Sequence, residues 1–244
     1  EFSSPSYEGQ RAVLTGAIAM ITDGIAKAGS TSAENNVLET SSTWAQIGNA
    51  LKARYYLALG DMTNANSSAV AANFTSAAND WNITHSTANY GENLFWQFEV
   101  EQRADYLKME NSYMAQLLNA TDTSYKGNAK TVETARYNYY VAANGLSINT
   151  SAGGFAAQTA FFPVISFVEV QLIIAETATS NSAKLTALNS VRSHNASKFS
   201  STYDAYVEAD FQTGGIVNKG LSSADAMKME ILLEKFCSVI GLPT

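Results

Sequence analysis

Helical periodicity dominates this 244-residue chain and leaves few folds open to it. From Glu8 to Ala28, apolar residues fall at Leu14, Ile18, Ile21 and Ile25, steps of 4, 3 and 4 that line one helix face. Gly29-Ser30 closes that segment. A second helix is expected from about Thr43 to Leu59, with Ser42 or Thr43 as N-cap and Trp44, Ile47, Leu51, Tyr55 and Leu59 as its stripe. It interleaves Asn49, Lys52 and Arg54 with apolar residues, so it is buried on more than one side or meets a partner. After a break at Gly60-Asp61, a helix with Ala69, Ala72 and Ala77, plus Phe74, offers small residues for close packing. Helical character returns over Glu99 to Asn119. Phe161 to Ala175 reads as a buried helix, followed by Ala183 to His194. The last helix spans about Ser222 to Ile240, opened by the capping sequence Ser222-Ser-Ala-Asp225.

Two stretches break the pattern. Residues 79–97 lack a period and hold Trp81, His85, Tyr90, Gly91 and Trp96; residues 131–161 are the least regular, with a short strand pair expected. Trp44 to Ala78 and Ser166 to His194 both read as helix, short polar turn, helix. Such pairs cannot bury their faces alone and stack on neighbours. The expected fold is mostly α: a single domain over 1–244 of tetratricopeptide-like helical repeats, with irregular loop inserts at 79–97 and 131–161.

Charge excludes one class of partner. The net charge is −7 and no basic stripe occurs, so a nucleic acid is not expected. No apolar run reaches the roughly 18–20 residues of a membrane span. Cys237 is the single cysteine, which rules out an intrachain disulfide, and its apolar setting reads as a buried helical thiol. His85 and His194 have no second histidine at a ligand spacing, so neither a metal nor another cofactor is expected; His194 reads as the end of its helix, meeting the carbonyl dipole. Glu169 with Glu176, and Glu230 with Glu234, each share a helix face. Paired carboxylates serve glycoside hydrolysis, but two on one helix rarely enter one cleft, and a polar stripe, or ion pairing with Lys and Arg of neighbouring helices, is the expected role. The chain is not read as an enzyme.

The aromatic residues point elsewhere. Trp81 and Trp96 lie among Asn79, Asn82, Asn89, Tyr90, Asn93 and Gln97. Aromatic faces beside amides suit sugar rings, whose C–H groups stack while hydroxyls take hydrogen bonds. Trp81, Tyr90, Asn93 and Trp96 are therefore the candidate ligand-binding residues. The alternative is that both tryptophans anchor a long loop.

Four segments carry a family resemblance. GNALKARYYLALGD (48–61), FPVISFVEVQLIIAETA (162–178), AKLTALNSVRSHN (183–195) and MKMEILLEKFCSVIG (227–241) resemble, in order, the scaffold helices of SusD/RagB-like proteins. The resemblance implies a surface-exposed outer-membrane lipoprotein of Bacteroidetes-type bacteria. It would be a non-catalytic binder that captures an oligosaccharide or polysaccharide and delivers it to a TonB-dependent outer-membrane transporter. Membrane association would come only through a lipid anchor that this chain lacks. The family's lipid-bearing cysteine and its Trp/Arg-rich segment after Gly241 are absent, and Glu1-Phe2 matches a cloning scar, so the chain is expected to be a fragment missing both ends. The alternative function is a helical-repeat scaffold that binds a protein or peptide partner.

Overall fold

The computed structural model describes residues 9–240, and its chain is mostly helical with one small sheet. The elements run α1 (Gln10–Ala28), β1 (Leu38–Glu39), α2 (Trp44–Ala58), α3 (Met62–Ala72), β2 (Trp81–Ile83), α4 (Leu94–Trp96), α5 (Tyr113–Leu118), α6 (Thr134–Tyr140), β3 (Phe162–Ile165), α7 (Phe167–Thr177), α8 (Asn181–Phe199) and α9 (Ser223–Ser238). The readings of Glu1-Phe2, of the start of the first helix at Glu8 and of residues 241–244 lie outside the described residues.

Two helix hairpins form the body. Leu59-Gly60-Asp61 joins α2 to α3, with Gly60 at φ +78° and the Asp61 carboxylate accepting the Asn64 N–H at 3.0 Å. Ala178-Thr179-Ser180 joins α7 to α8, and Ser180 caps the latter. The hairpins stack through α3 and α7. Ala65, Ala69 and Ala72 on α3 are completely buried there. Because α3 ends at Ala72, with Asn73 in the left-handed region, Ala77 falls outside the helix.

The polar residues of α2 are explained by burial on two sides. Trp44, Ile47, Gly48 and Leu51 meet α1 across Ile21 and Ile25. A Cβ at Gly48 would stand 2.7 Å from Ile25 Cγ1, so glycine is what lets α1 lie close. The opposite side buries Ala50, Ala53 and Arg54. Arg54 donates to both oxygens of Glu169 on α7, at 2.6 and 2.7 Å, and to the Val164 carbonyl at 2.6 Å. Asn49 and Lys52 make no such tie and are half-buried. Thr43, not Ser42, is the N-cap, in a capping box with Gln46.

Several expected boundaries move, each for a local reason. Phe161 to Ala175 is not one helix: Pro163 sits in β3, and Ser166 starts α7 by accepting the Glu169 N–H at 3.1 Å. The sheet order is β1-β2-β3, antiparallel throughout, with Leu38 opposite Ile83, Ile83 opposite Phe162 and a bulge at Trp81/Asn82. Thus 79–97 supplies a central strand as well as a loop. Glu99 to Asn119 is not continuous helix either. After a π-helical turn at Gln97–Gln102, the Glu99 carboxylate accepts the N–H groups of Asp105 and Leu107 at 2.8 and 2.9 Å and turns the chain. Residues 131–161 contain α6 and single bridges such as Val141 to Ile148, instead of a strand pair.

The core has three parts, and α7 serves two of them. Val170 and Ile173 pack with α2 and α3, while Leu172 and Ala175 pack with α8, α9, Tyr206 and Phe211. The third gathers Met114, Leu118, Tyr140, Ile148 and Cys237 around α5 and α6.

The Arg54–Glu169 pair is buried, so losing one partner strands a charge at a cost of about 3–5 kcal/mol. Arg54→Met is expected to destabilise by about that amount. Arg54→Met with Glu169→Leu should lose clearly less than the sum of the single losses. Urea titrations of the three variants measure this; strictly additive losses would show that the pair does not couple.

Candidate functional site

Where the second hairpin meets residues 136–163, the surface opens into a depression of about 510 Å³. That size lies in the range of small-ligand sites. One wall is aromatic: Tyr139 and Tyr140 from α6, Phe155 and Phe161 from the following segment, and Phe199 from α8. Tyr139 centres this group, with rings of Phe155 at 6.0 Å and Phe199 at 5.5 Å. Phe161 stands at the rim, 46% exposed. Polar groups line the rest of the depression: Asp80 and Asn82 at β2, Ser166 at the start of α7, and His194 and Lys198 on α8. The last two are four apart and so share a helix face.

Beneath this lies a buried ionic network. Glu234 on α9 accepts from Arg136 at 2.9 Å, Lys126 at 2.8 Å, Asn195 at 2.8 Å and Ser238 at 3.1 Å. Lys126 also reaches Glu133 at 2.8 Å and Glu230 at 3.9 Å, and Tyr203 donates to Glu133 at 2.5 Å. Burial alone would push Glu234 up, but Arg136 and Lys126 outweigh it and hold the carboxyl well below the usual range. Burial likewise raises Glu230, where Lys126 compensates only in part. Burial opposes charge on Lys126 and Arg136, yet their carboxylate partners prevail and hold both firmly protonated. Arg136, Asn195 and Ser238 thereby become fixed parts of the depression's floor.

Ion pairing also claims the carboxylates that the sequence placed on shared helix faces. Glu169 binds Arg54, Glu176 binds Lys235 at 2.7 Å, and Glu230 and Glu234 belong to the network. The carboxylate lining the depression is instead Asp80, whose Oδ1 accepts the Phe167 N–H at 2.6 Å. Burial pushes Asp80 up to about 6, against the pull of that hydrogen bond and of Lys198. His194 is lowered to about 4, first by burial, then by the charges of Lys198 and Arg136. Lys198 is lowered as well: its side chain keeps contact with solvent, but the walls of the depression crowd it and Arg136 adds repulsion.

The residues singled out from sequence do not line this depression. Trp81 is half-buried in β2, edge-on to Trp44 with centroids 5.6 Å apart, and its indole N–H is buried without a partner. Asn93 is a correction. It is 1% exposed, and its amide is consumed by the chain, donating to the Ala160 carbonyl at 3.0 Å and accepting the Phe95 N–H at 2.9 Å. Tyr90 is 83% exposed on a turn at φ +66°, and Trp96 is half-buried at the end of α4. Trp81 is thus tied into the body, and none of the four lines the depression.

His194 is a second correction. It lies inside α8, which continues to Phe199, and its ring packs against Phe167 at 5.8 Å. Ending that helix at His194 hid Lys198 and Phe199 from the sequence reading. The run Arg136-Tyr-Asn-Tyr-Tyr140 was visible but carried no signal of its own. Among the described residues, no group of three or more His, Cys, Asp or Glu is arranged to hold a metal ion, and no helix is long and apolar enough to cross a membrane. Cys237 is buried in α9.

Comparison with protein-family models, curated proteins and solved structures finds no match.

Titration of the depression has a defined sign. Asp80 titrates above its ordinary 3.8, so its protonated form adds stability that is full below that value and is lost as pH rises through about 6. His194 works oppositely: its contribution is present above 6.5 and lost as pH falls through about 4. Asp80→Asn keeps the acceptor for Phe167 and removes only the first effect. The melting temperature of the variant minus that of the parent should therefore rise between about pH 4 and pH 7, by on the order of a few degrees. A difference independent of pH would contradict the placement of Asp80.

Proposed function

We propose that this chain is a non-catalytic capture protein for an oligosaccharide or polysaccharide, and that the ligand sits in the depression. The observation carrying this reading is one depression lined both by the aromatic side chains of Tyr139, Phe155, Phe161 and Phe199 and by the polar groups of Asn82, Asp80, His194 and Lys198. Flat rings together with hydrogen-bonding groups match the two characters of a sugar, apolar C–H surface and hydroxyl edge. This moves the ligand site away from Trp81, Tyr90, Asn93 and Trp96. The stacked hairpins support a tetratricopeptide-like scaffold. With the resemblance of the four scaffold helices, that gives a SusD-like protein of the outer-membrane surface, delivering its ligand to a TonB-dependent transporter.

A second reading, a helical scaffold for a protein partner, draws on one observation. Met229, Leu232 and Phe236 form an exposed apolar stripe on α9, and Tyr113 packs beside Phe236.

The test is a panel of soluble glycans, read by affinity electrophoresis and calorimetry. Phe161→Ala is expected to weaken a binding glycan about tenfold, following from about 1–1.5 kcal/mol for one lost stacking contact. Tyr139→Ala should weaken it at least as much, and Tyr90→Ala should leave it unchanged. Binding that survives both depression variants would move the site elsewhere, and silence across the panel would favour the protein-partner reading.

A further inference from the structure

Resting on the saccharide reading above, we infer that the depression selects ligands carrying a carboxylate, an acidic sugar, and that Lys198 receives it. Lys198 presents an ammonium group with no carboxylate in ion-pair range among the described residues. It makes no hydrogen bond among them either, although it stands in a concave site. It is held there by aromatic faces, with Nζ 4.8 Å from the Tyr139 centroid and 5.4 Å from that of Phe199. These are two of the rings that line the proposed sugar site, so the charge lies within reach of a sugar bound there.

The acid opposite does not quench it. Asp80 feels the charge of Lys198, but it stays outside ion-pair range and spends one oxygen on the Phe167 N–H. Arg136, in the floor, has its charge taken up by Glu234 and Glu133. Its terminal nitrogens are satisfied by Glu234 and Ser238, while its buried Nε has no partner. In a chain of net charge −7, Lys198 is thus the cation of this aromatic depression that no carboxylate within ion-pair range neutralises. A carboxylate placed at Lys198 gains a charge-assisted hydrogen bond, which a hydroxymethyl group at the same position cannot supply.

Lys198 also lies in the last turn of α8, where a cation meets the helix carbonyls. That role is structural and gives no ligand preference, so selectivity separates the two. The groups facing Lys198 set its pH dependence. Tyr139 and Tyr140 have raised pKa values and stay neutral, Arg136 stays charged, and His194 is uncharged above about 4. Asp80 is the group that changes, losing its repulsive charge as pH falls through about 6. Affinity for an acidic sugar should therefore strengthen from about pH 7 to about pH 5.

The experiment uses the full chain and matched probes. Oligogalacturonates, glucuronate-bearing oligosaccharides and sialylated oligosaccharides are each compared with their carboxyl-reduced, neutral counterparts. Calorimetry is run at low and high salt, with a neutral glycan panel alongside. The expected result is that an acidic form binds roughly tenfold or more tightly than its reduced twin, with the preference shrinking in salt. Lys198→Met should erase the preference while leaving the circular dichroism and melting temperature close to the parent, and Lys198→Arg should retain most of it. A reduced twin or a neutral glycan that binds as well as the acidic form overturns the inference and leaves the saccharide reading standing. A preference that survives Lys198→Met also overturns it. Silence from every probe, acidic and neutral, removes the saccharide reading and this inference with it.

Discussion

The geometry of this protein depends on a charge it cannot leave unpaired. Glu234 is 1% exposed, deep in α9, and an isolated carboxylate there would be prohibitively costly. Its partners come from three other places: Lys126 in the irregular segment between α5 and α6, Arg136 on α6 and Asn195 on α8. Satisfying one carboxylate therefore fixes the mutual positions of segments separated by about a hundred residues of sequence. Buried ion pairs often add little net stability against apolar replacements, because desolvation offsets the attraction. Their effect here is geometric: partners that fit in only one arrangement select that arrangement.

The same device appears at the other end of the molecule. Arg54 joins α2 to α7 through Glu169 and to β3 through the Val164 carbonyl. Between the two ties, α7 is apolar on both sides and packs into two cores, which leaves its rotation loosely specified by hydrophobicity alone. Glu169 near the start of α7, bound to Arg54, and Glu176 near its end, bound to Lys235 of α9, remove that freedom. Alanine-lined contact between α3 and α7 then brings the hairpins close without competing for orientation.

The depression follows from this arrangement. Its floor is the network, and its aromatic wall is carried by α6 and the irregular segment after it, supported on the rigid hairpin stack. Groups that bind ligands are commonly displayed this way, on connecting segments over a fixed scaffold. Asp80 links wall and scaffold, since it stands beside β2 and caps the first N–H of α7. Its raised pKa and the lowered pKa of His194 share one cause, protein replacing water around a charge.

Much of the scaffold was legible in the sequence because its causes are local. Thr43 with Gln46, Asp61, and Ser222 with Asp225 announce helix starts through side chains that reach only three residues ahead, and a period of 3.6 needs no distant partner to be seen. Carboxylates spaced along one helix face could likewise be assigned to a polar stripe or to ion pairs, and only the fold supplied the partners. The site was decided by tertiary structure. Asn93 looks like a ligand-binding amide until the Ala160 carbonyl, 67 residues away, takes its N–H. Lys126 looks like a solvated turn residue until Glu133 and Glu234 close around it. Lys198 lay beyond the expected end of its helix, and the rings that hold it come from α6 as well as its own helix. Local hydrogen bonding and periodicity set the elements, whereas the pairing of buried charges across the chain set which side chains remain free to meet a ligand.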